Sequence, residues 1–345
     1  MLSSRISFIH LKEEIDDMNK EKAKELETIM QRDYQNIAGI VVEKNGVKLY
    51  ESYLNGYSAH DAVHVASVTK SIFSVLLGIA IDLGYIENIE QKVLDFFPEF
   101  HIQPGEKTIQ QITIKNLLTM TAPYKYKVEP YEMFFASQNP LEDALNFLGG
   151  GNPIGEFNYS AVGGTHILSG ILTKATRQSP LEFGRKYLFE PLGLNVTQNV
   201  ILHNKEEHIS IMSDKNTRGW VVDPQGRNMA SWGLFLTPLE MAKIGTLYQN
   251  GGIWRDRQII SSEWITESTR QQSQCAEWGN LGYGYLWWIL DKDSYAALGD
   301  GGNVIYINRK KNLVISIASL FMPNAKDRIE LIKNYIEPII GDSKD

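Results

Sequence analysis

Three short stretches carry side chains able to do chemistry together. Ser67-Val68-Thr69-Lys70 is the one Ser-x-x-Lys in the chain, and it opens the near-continuous apolar run of residues 71–83. On a helix, residues three apart share a face, so the hydroxyl and the amine lie within reach of each other. A serine hydroxyl is too weak a nucleophile alone, and an adjacent base must take its proton. Lys70 can be that base only if burial or positive neighbours lower a pKa that is about 10.4 in water, and an apolar helix supplies burial. The first turn of such a helix adds free N–H groups and a partial positive charge, which favour an alkoxide or a bound oxyanion. The same residues also fit an N-capping serine and a lysine whose stem lies on apolar surface with its amine in water.

The second stretch is Phe157-Asn158-Tyr159-Ser160-Ala161, preceded by the turn-rich residues 149–153 and followed by Gly163-Gly164 and a helical pattern. A tyrosine on a tight loop can present its hydroxyl to a cleft and pass a proton. It can equally be one of 16 tyrosines packing a loop. The third is Leu298-Gly299-Asp300-Gly301-Gly302-Asn303, which runs into the β-prone residues 304–308. Glycines at the start of a strand let a substrate backbone approach closely, and the N–H of the residue after them can donate to an oxyanion. Read alone, the stretch is also simply a turn into a strand.

These stretches need a scaffold, and the two ends of the chain provide matching parts. Residues 38–44 and 47–53 are β-prone runs separated by Asn45-Gly46, the strongest two-residue hairpin signal. Residues 304–308 and 313–320 flank Arg309-Lys310-Lys311-Asn312 as a second hairpin. One-sided apolar spacing predicts helices over 13–30 and 327–340. Helix then hairpin at the start, and hairpin then helix at the end, predict an α+β fold: an antiparallel sheet built from both chain ends, flanked by helices. Residues 1–85 plus 276–345 would form the sheet lobe and residues 86–275 a mostly helical inserted lobe, with the site in the cleft between them. Within the insertion, helices are expected over 114–120 after an N-capping Thr113, over 141–148 and 165–176, and from Pro238 to Gln249 after Thr237.

Composition narrows the function classes. The chain has 345 residues, 43% apolar and 22% charged, which is ordinary globular composition. With 34 Lys+Arg against 41 Asp+Glu, the formal net charge of −7 gives no basic field for nucleic acid. The single Cys275 excludes an internal disulfide and a cysteine-rich metal cluster. His60 and His64 stand four apart without Asp, Glu or Cys grouped around them, a pattern of loop histidines rather than of a metal site. No signal-peptide stretch opens the chain and no apolar run is long enough to span a bilayer, so a cytoplasmic protein without a membrane span is expected. Gly-x-Ser-x-Gly is absent, and Gly299-Asp300-Gly301-Gly302 opens a strand, not the helix of a dinucleotide site.

In their order and spacing the three stretches resemble the serine β-lactamase and penicillin-binding-protein superfamily, nearest to its class C-like branch of esterases, D-amino-acid peptidases and related hydrolases. The resemblance runs from residue 38 to the terminal helix and includes Met229-Ala230-Ser231-Trp232-Gly233-Leu234 and Gly282-Tyr283-Gly284-Tyr285-Leu286-Trp287-Trp288. It implies a β-lactamase/transpeptidase-like fold and a hydrolase working through an acyl-enzyme, with no metal or organic cofactor. It also implies Ser67 as nucleophile, Lys70 as general base, Tyr159 as proton relay to the leaving group, and the backbone N–H groups of Ser67 and Asn303 as the oxyanion hole. Asp300, Gly301, Gly302 and Ala161 fall at the family's substrate-binding positions.

Two departures bear on the substrate. Ala161 stands where the family often has an Asn that grips an acylamino group. Asp300 stands where β-lactam-binding members open the strand motif with Lys or His, and it would repel a substrate carboxylate by about 1–4 kcal/mol at about 4 Å. Efficient penicillin turnover is not expected. The reading is an esterase or amidase acting on small neutral or amine-bearing molecules, an ester, amide or short peptide. A D-amino-acid or peptidoglycan-type peptidase, a β-lactamase and a catalytically silent binding or sensor protein are the alternatives. The residues 124–135, with Tyr124, Tyr126, Tyr131, Phe134 and Phe135, would either wall the cleft or pack elsewhere.

Overall fold

The computed structural model describes residues 20–340. The chain enters through helix α1 (Lys20–Asp33), so the first part of the helix expected from residue 13 lies outside the described residues. Strands β1 (Ile37–Lys44) and β2 (Val47–Tyr53) follow as a hairpin. Its turn works because Asn45 and Gly46 both take positive φ, 52° and 74°, the geometry that lets two antiparallel strands keep their right-handed twist. A two-residue strand β3 (Val63–His64) leads into α2 (Val68–Asp82).

The middle of the chain contributes α3 (Ile114–Leu118), α4 (Tyr131–Ala136), α5 (Pro140–Phe147) and α6 (Gly163–Thr176). Strand β4 (Asn199–Val200), helix α7 (Lys205–Ser210), strands β5 (Gly219–Val221) and β6 (Leu234–Leu236) and helix α8 (Pro238–Gln249) follow, among shorter elements. Helix boundaries follow local chemistry: Thr113 and Thr237 each accept the N3 backbone N–H in a capping box. Helix α3 stops two residues short of the expected end because Met120 turns to φ 53°. The sequence did not reveal that this region, with β3 from before α2, also forms a small four-stranded sheet, ordered β3-β6-β5-β4, whose strands of two or three residues are too short to show a period.

The chain then returns through β7 (Ser273–Cys275), β8 (Leu281–Tyr283), β9 (Trp288–Ile289), β10 (Ser294–Gly299), β11 (Asn303–Asn308) and β12 (Leu313–Ser319). These strands join the first hairpin in one eight-stranded sheet, ordered β2-β1-β12-β11-β10-β9-β8-β7 and antiparallel throughout. The seam between the chain ends runs from Ile37 opposite Ser319 to Lys44 opposite Leu313. On one face, Leu26 and Met30 of α1 and Leu331, Ile332 and Ile336 of the terminal helical turns cover Ile40, Tyr306 and Ile315. On the other, α2 and α8 bury a larger core that continues into the middle region. The fold is α+β, as its residue pattern predicts. Among the described residues no helix is long and apolar enough to cross a membrane.

Candidate active site

Helix α2 is apolar on every side, and its residues from Val68 to Ala80 are all buried, the pattern of a helix at the centre of a fold. It is entered through a sharp corner. Ala66 sits at φ 48°, a left-handed conformation that costs a residue with a Cβ about 1–3 kcal/mol. The Val65 N–H donating to the Leu234 carbonyl at 3.0 Å and the Thr69 hydroxyl donating to the Ala66 carbonyl at 2.7 Å hold the corner in place. Ser67 follows as the N-cap of α2, but its side chain makes no capping bond. Its hydroxyl instead meets Lys70, whose Nζ lies 3.0 Å from Ser67 Oγ and donates to the Ser231 carbonyl at 3.1 Å. Lys70 is 2% exposed. Burial pulls its pKa down to about 8, against the opposing pull of Glu129 and Asp300, so a sizeable fraction of the amine is neutral near pH 7.5.

Tyr159 comes to the same point from the loop before α6. Its ring lies 5.5 Å from Lys70 Nζ. Burial keeps its hydroxyl above the ordinary phenol range, against a smaller opposing pull from Ser67, so it holds its proton at neutral pH. The ring is packed at 5.8 Å against Trp288, which in turn stacks at 4.8 Å on the exposed Trp278. The loop is fixed by a residue that no local pattern singles out. The buried Glu129 carboxylate accepts the Ser160 hydroxyl and the backbone N–H groups of Ala161, Val162 and Gly163, at 2.6–3.0 Å.

The glycine-rich stretch becomes the turn between β10 and β11. Gly299 is pressed against the Ser67 corner: a Cβ there would sit 2.4 Å from the Val65 carbonyl and 3.1 Å from Ser67 N. Gly301 and Gly302 take φ 78° and 89°. Asn36 Nδ2 donates to the Gly301 carbonyl at 2.7 Å, and the buried Arg328 guanidinium reaches the same oxygen. Asp300 is exposed and shares a cavity wall with Ser67 and Ala161. Asn303 lies behind the turn. It is 1% exposed and paired with Gly299 in the sheet ladder. Its side chain donates to the Asp300 carbonyl at 2.9 Å and accepts the Ser319 N–H at 2.9 Å. Asp300, with Gly299 before it, is thus the part of this stretch brought to Ser67, while Asn303 and the two glycines shape and anchor the turn.

His64 is also in the cavity wall, but its Nε2 accepts the Gly233 N–H at 3.1 Å and burial holds its pKa down to about 4. Among the described residues no three His, Cys, Asp or Glu side chains group in a way that could hold a metal ion. The aromatic stretch divides between its two expected roles: Tyr124 is buried and stacked on Tyr126 at 5.2 Å, whereas Tyr131, Phe134 and Phe135 line the cavity. Gly299 was missed as a contact to Ser67 because the partners are over two hundred positions apart. Glu129 stands in Val128-Glu129-Pro130, which resembles no motif.

Comparison with known proteins gives the setting. At 20% identity over 301 residues, the chain is similar to 6-aminohexanoate-dimer hydrolase of Paenarthrobacter ureafaciens, with 81% of this chain and 71% of that protein covered. A structure assigned as a 6-aminohexanoate-dimer hydrolase from Bacillus anthracis superposes with a TM-score of 0.73 at 20% identity, over 91% of this chain and 81% of that one. A family VIII carboxylesterase does so with a TM-score of 0.68 at 16% identity, over 92% and 96%. The family model for Beta-lactamase matches residues 24–337, from within α1 to the terminal helical turns, and by that match the chain belongs to the Beta-lactamase family.

Proposed function

We propose that this protein is a serine hydrolase that works through an acyl-enzyme, an esterase or amidase for small neutral or amine-bearing substrates. The observation that carries the reading is the buried Lys70 amine 3.0 Å from Ser67 Oγ at the start of a helix. Ser67 Oγ attacks the substrate carbonyl carbon and gives its proton to the neutral Lys70 amine. The C–O or C–N bond then breaks, and the leaving group takes a proton from the Tyr159 hydroxyl, which is replenished from Lys70. Water hydrolyses the acyl group from Ser67 by the same steps in reverse order. The developing oxyanion is met by the Ser67 N–H at the helix start. We assign the second donor to the Asp300 N–H rather than that of Asn303, because Asp300 follows the Gly299 contact to Ser67 and lines the same cavity, while Asn303 is buried opposite Gly299 in the sheet.

The substrate's charge follows from Asp300 and Ala161, both in the cavity wall. A carboxylate beside the nucleophile attracts an ammonium group and repels a carboxylate. Ala161 offers no side-chain amide to grip an acylamino group, which removes one contact a β-lactam uses. The relatives named as hydrolases of an aminohexanoate dimer and of carboxylic esters agree with this chemistry. The test is intact-protein mass after an active-site serine phosphonate, with rates on a neutral aryl ester, its carboxylate-bearing analogue and a chromogenic cephalosporin, each also for Ser67→Ala. Labelling of the unmodified protein alone, with the neutral ester cleaved much faster than the two anionic substrates, is the expected result. Labelling of Ser67→Ala, or equal rates on the neutral and anionic esters, would respectively overturn the nucleophile and the charge preference.

A further inference from the structure

The cavity beside Ser67 has a volume of about 980 Å3, at the upper end of the roughly 300–1,000 Å3 typical of small-molecule sites. Ser67 is part of its wall and Tyr159 is not. The Tyr159 ring is packed against Trp288 and Tyr283, which do not line the cavity either. If Tyr159 protonates the leaving group, that group departs on the Trp288 side. The acyl group, which remains bonded to Ser67 Oγ, extends into the cavity.

The cavity's lining is specific about what it takes. Phe134, Phe135, Leu202, Met212, Met229 and Trp232 are among the apolar residues of the wall, contributed by α4, the segment around α7 and the approach to β6. Phe135 and Trp232 meet edge to face at 5.3 Å, which fixes the wall's shape. Of the charged groups in the lining, Asp223 is bonded to Arg227 and His166, Glu132 and Lys205 pair in solvent, and Asp300 is exposed beside Ser67. At the rim, Phe321 is 52% exposed, with Tyr131 and Phe135 each 45% exposed. Aromatic surface of this kind gains by being covered.

We propose that this cavity is an acyl pocket and that the protein's substrates are esters or amides of bulky apolar acids, with the acyl chain lying against the Phe134–Trp232 wall. The proposal rests on Ser67 as the acylated residue. Its test is a series of p-nitrophenyl esters from acetate through butanoate to octanoate, kept below their critical micelle concentrations. Each methylene buried in an apolar wall is worth roughly three- to fourfold in binding, so kcat/KM is expected to rise at least tenfold from acetate to octanoate. Leu202→Trp and Met212→Trp, at two half-buried positions in the wall, fill the pocket and are expected to lower the octanoate-to-acetate ratio at least fivefold. A flat or falling series in the unmodified protein, or a ratio unmoved in both variants, overturns the acyl pocket. Mass labelling by a methylphosphonate, read alongside, keeps the two failures apart: label on Ser67 with no chain-length preference sinks the pocket alone, and label retained in Ser67→Ala sinks the nucleophile.

Discussion

Glu129 Oε2 accepts the backbone N–H of Ala161 at 2.6 Å, across 32 positions of sequence. Its other oxygen takes Ser160 Oγ, Val162 N and Gly163 N, so one buried carboxylate holds the loop that presents Tyr159. Glu129→Gln turns an acceptor into an NH2 group facing backbone donors. It should cost about 2–3 kcal/mol of stability, read from the denaturant midpoint, and should also lower kcat by letting Tyr159 drift from Ser67. An unchanged midpoint would show that the loop is held by other means.

The Lys70 amine must be neutral to accept the Ser67 proton, so kcat/KM on a neutral ester should rise with pH through an apparent pKa of about 8 and level off above it. Asp300 favours the charged amine. Removing that charge in Asp300→Asn should therefore move the rising limb to lower pH. A limb that stays in place, or moves up, would mean that Asp300 does not act on Lys70.

His64 is buried neutral, with its pKa down at about 4 through burial and the nearby His208. An unfolded chain takes up a proton at this residue near pH 6.5, which the folded chain refuses until about pH 4. Stability should thus fall by about 3 kcal/mol as pH drops from 6.5 to 4, and this contribution should be flat below that range. Glutamine at the position can still accept the Gly233 N–H without titrating. The difference in unfolding free energy between His64→Gln and the unmodified protein, followed from pH 7 to 4, should shift in favour of the variant.

Gly299→Ala places a methyl group 2.4 Å from the Val65 carbonyl and 3.1 Å from Ser67 N. Strand β10 must then back away from the α2 corner and carry the Asp300 N–H with it. The expected effect is a loss of about 100-fold or more in kcat, the size seen when one oxyanion donor is removed, with KM much less affected. A variant with near-normal kcat would place the second oxyanion donor elsewhere.

Much of this was legible in the residues. Both hairpins, the buried helix at Ser67 and the capped helix after Thr237 announce themselves through local rules: a turn pair, a period, a cap. Ser67 and Lys70 are three positions apart on that helix, so a local pattern was enough to bring them together. What stayed hidden depends on contacts distant in sequence. The register that sets Asn303 opposite Gly299 and leaves Asp300 in the cavity wall is one such feature. The left-handed Ala66 carries no signal, since alanine is ordinarily avoided there and only the surrounding bonds hold it.

The seam that pairs Ile37 with Ser319 also sets an order in time. During synthesis the β1–β2 hairpin and the Ser67 helix leave the ribosome early, while Gly299 and the strand that covers the open edge of β1 come almost last. Until then β1 presents an unpaired edge and α2 an uncovered apolar surface, the features that make a nascent chain dependent on shielding. Ser67 is therefore made long before the turn at Gly299 that closes against it.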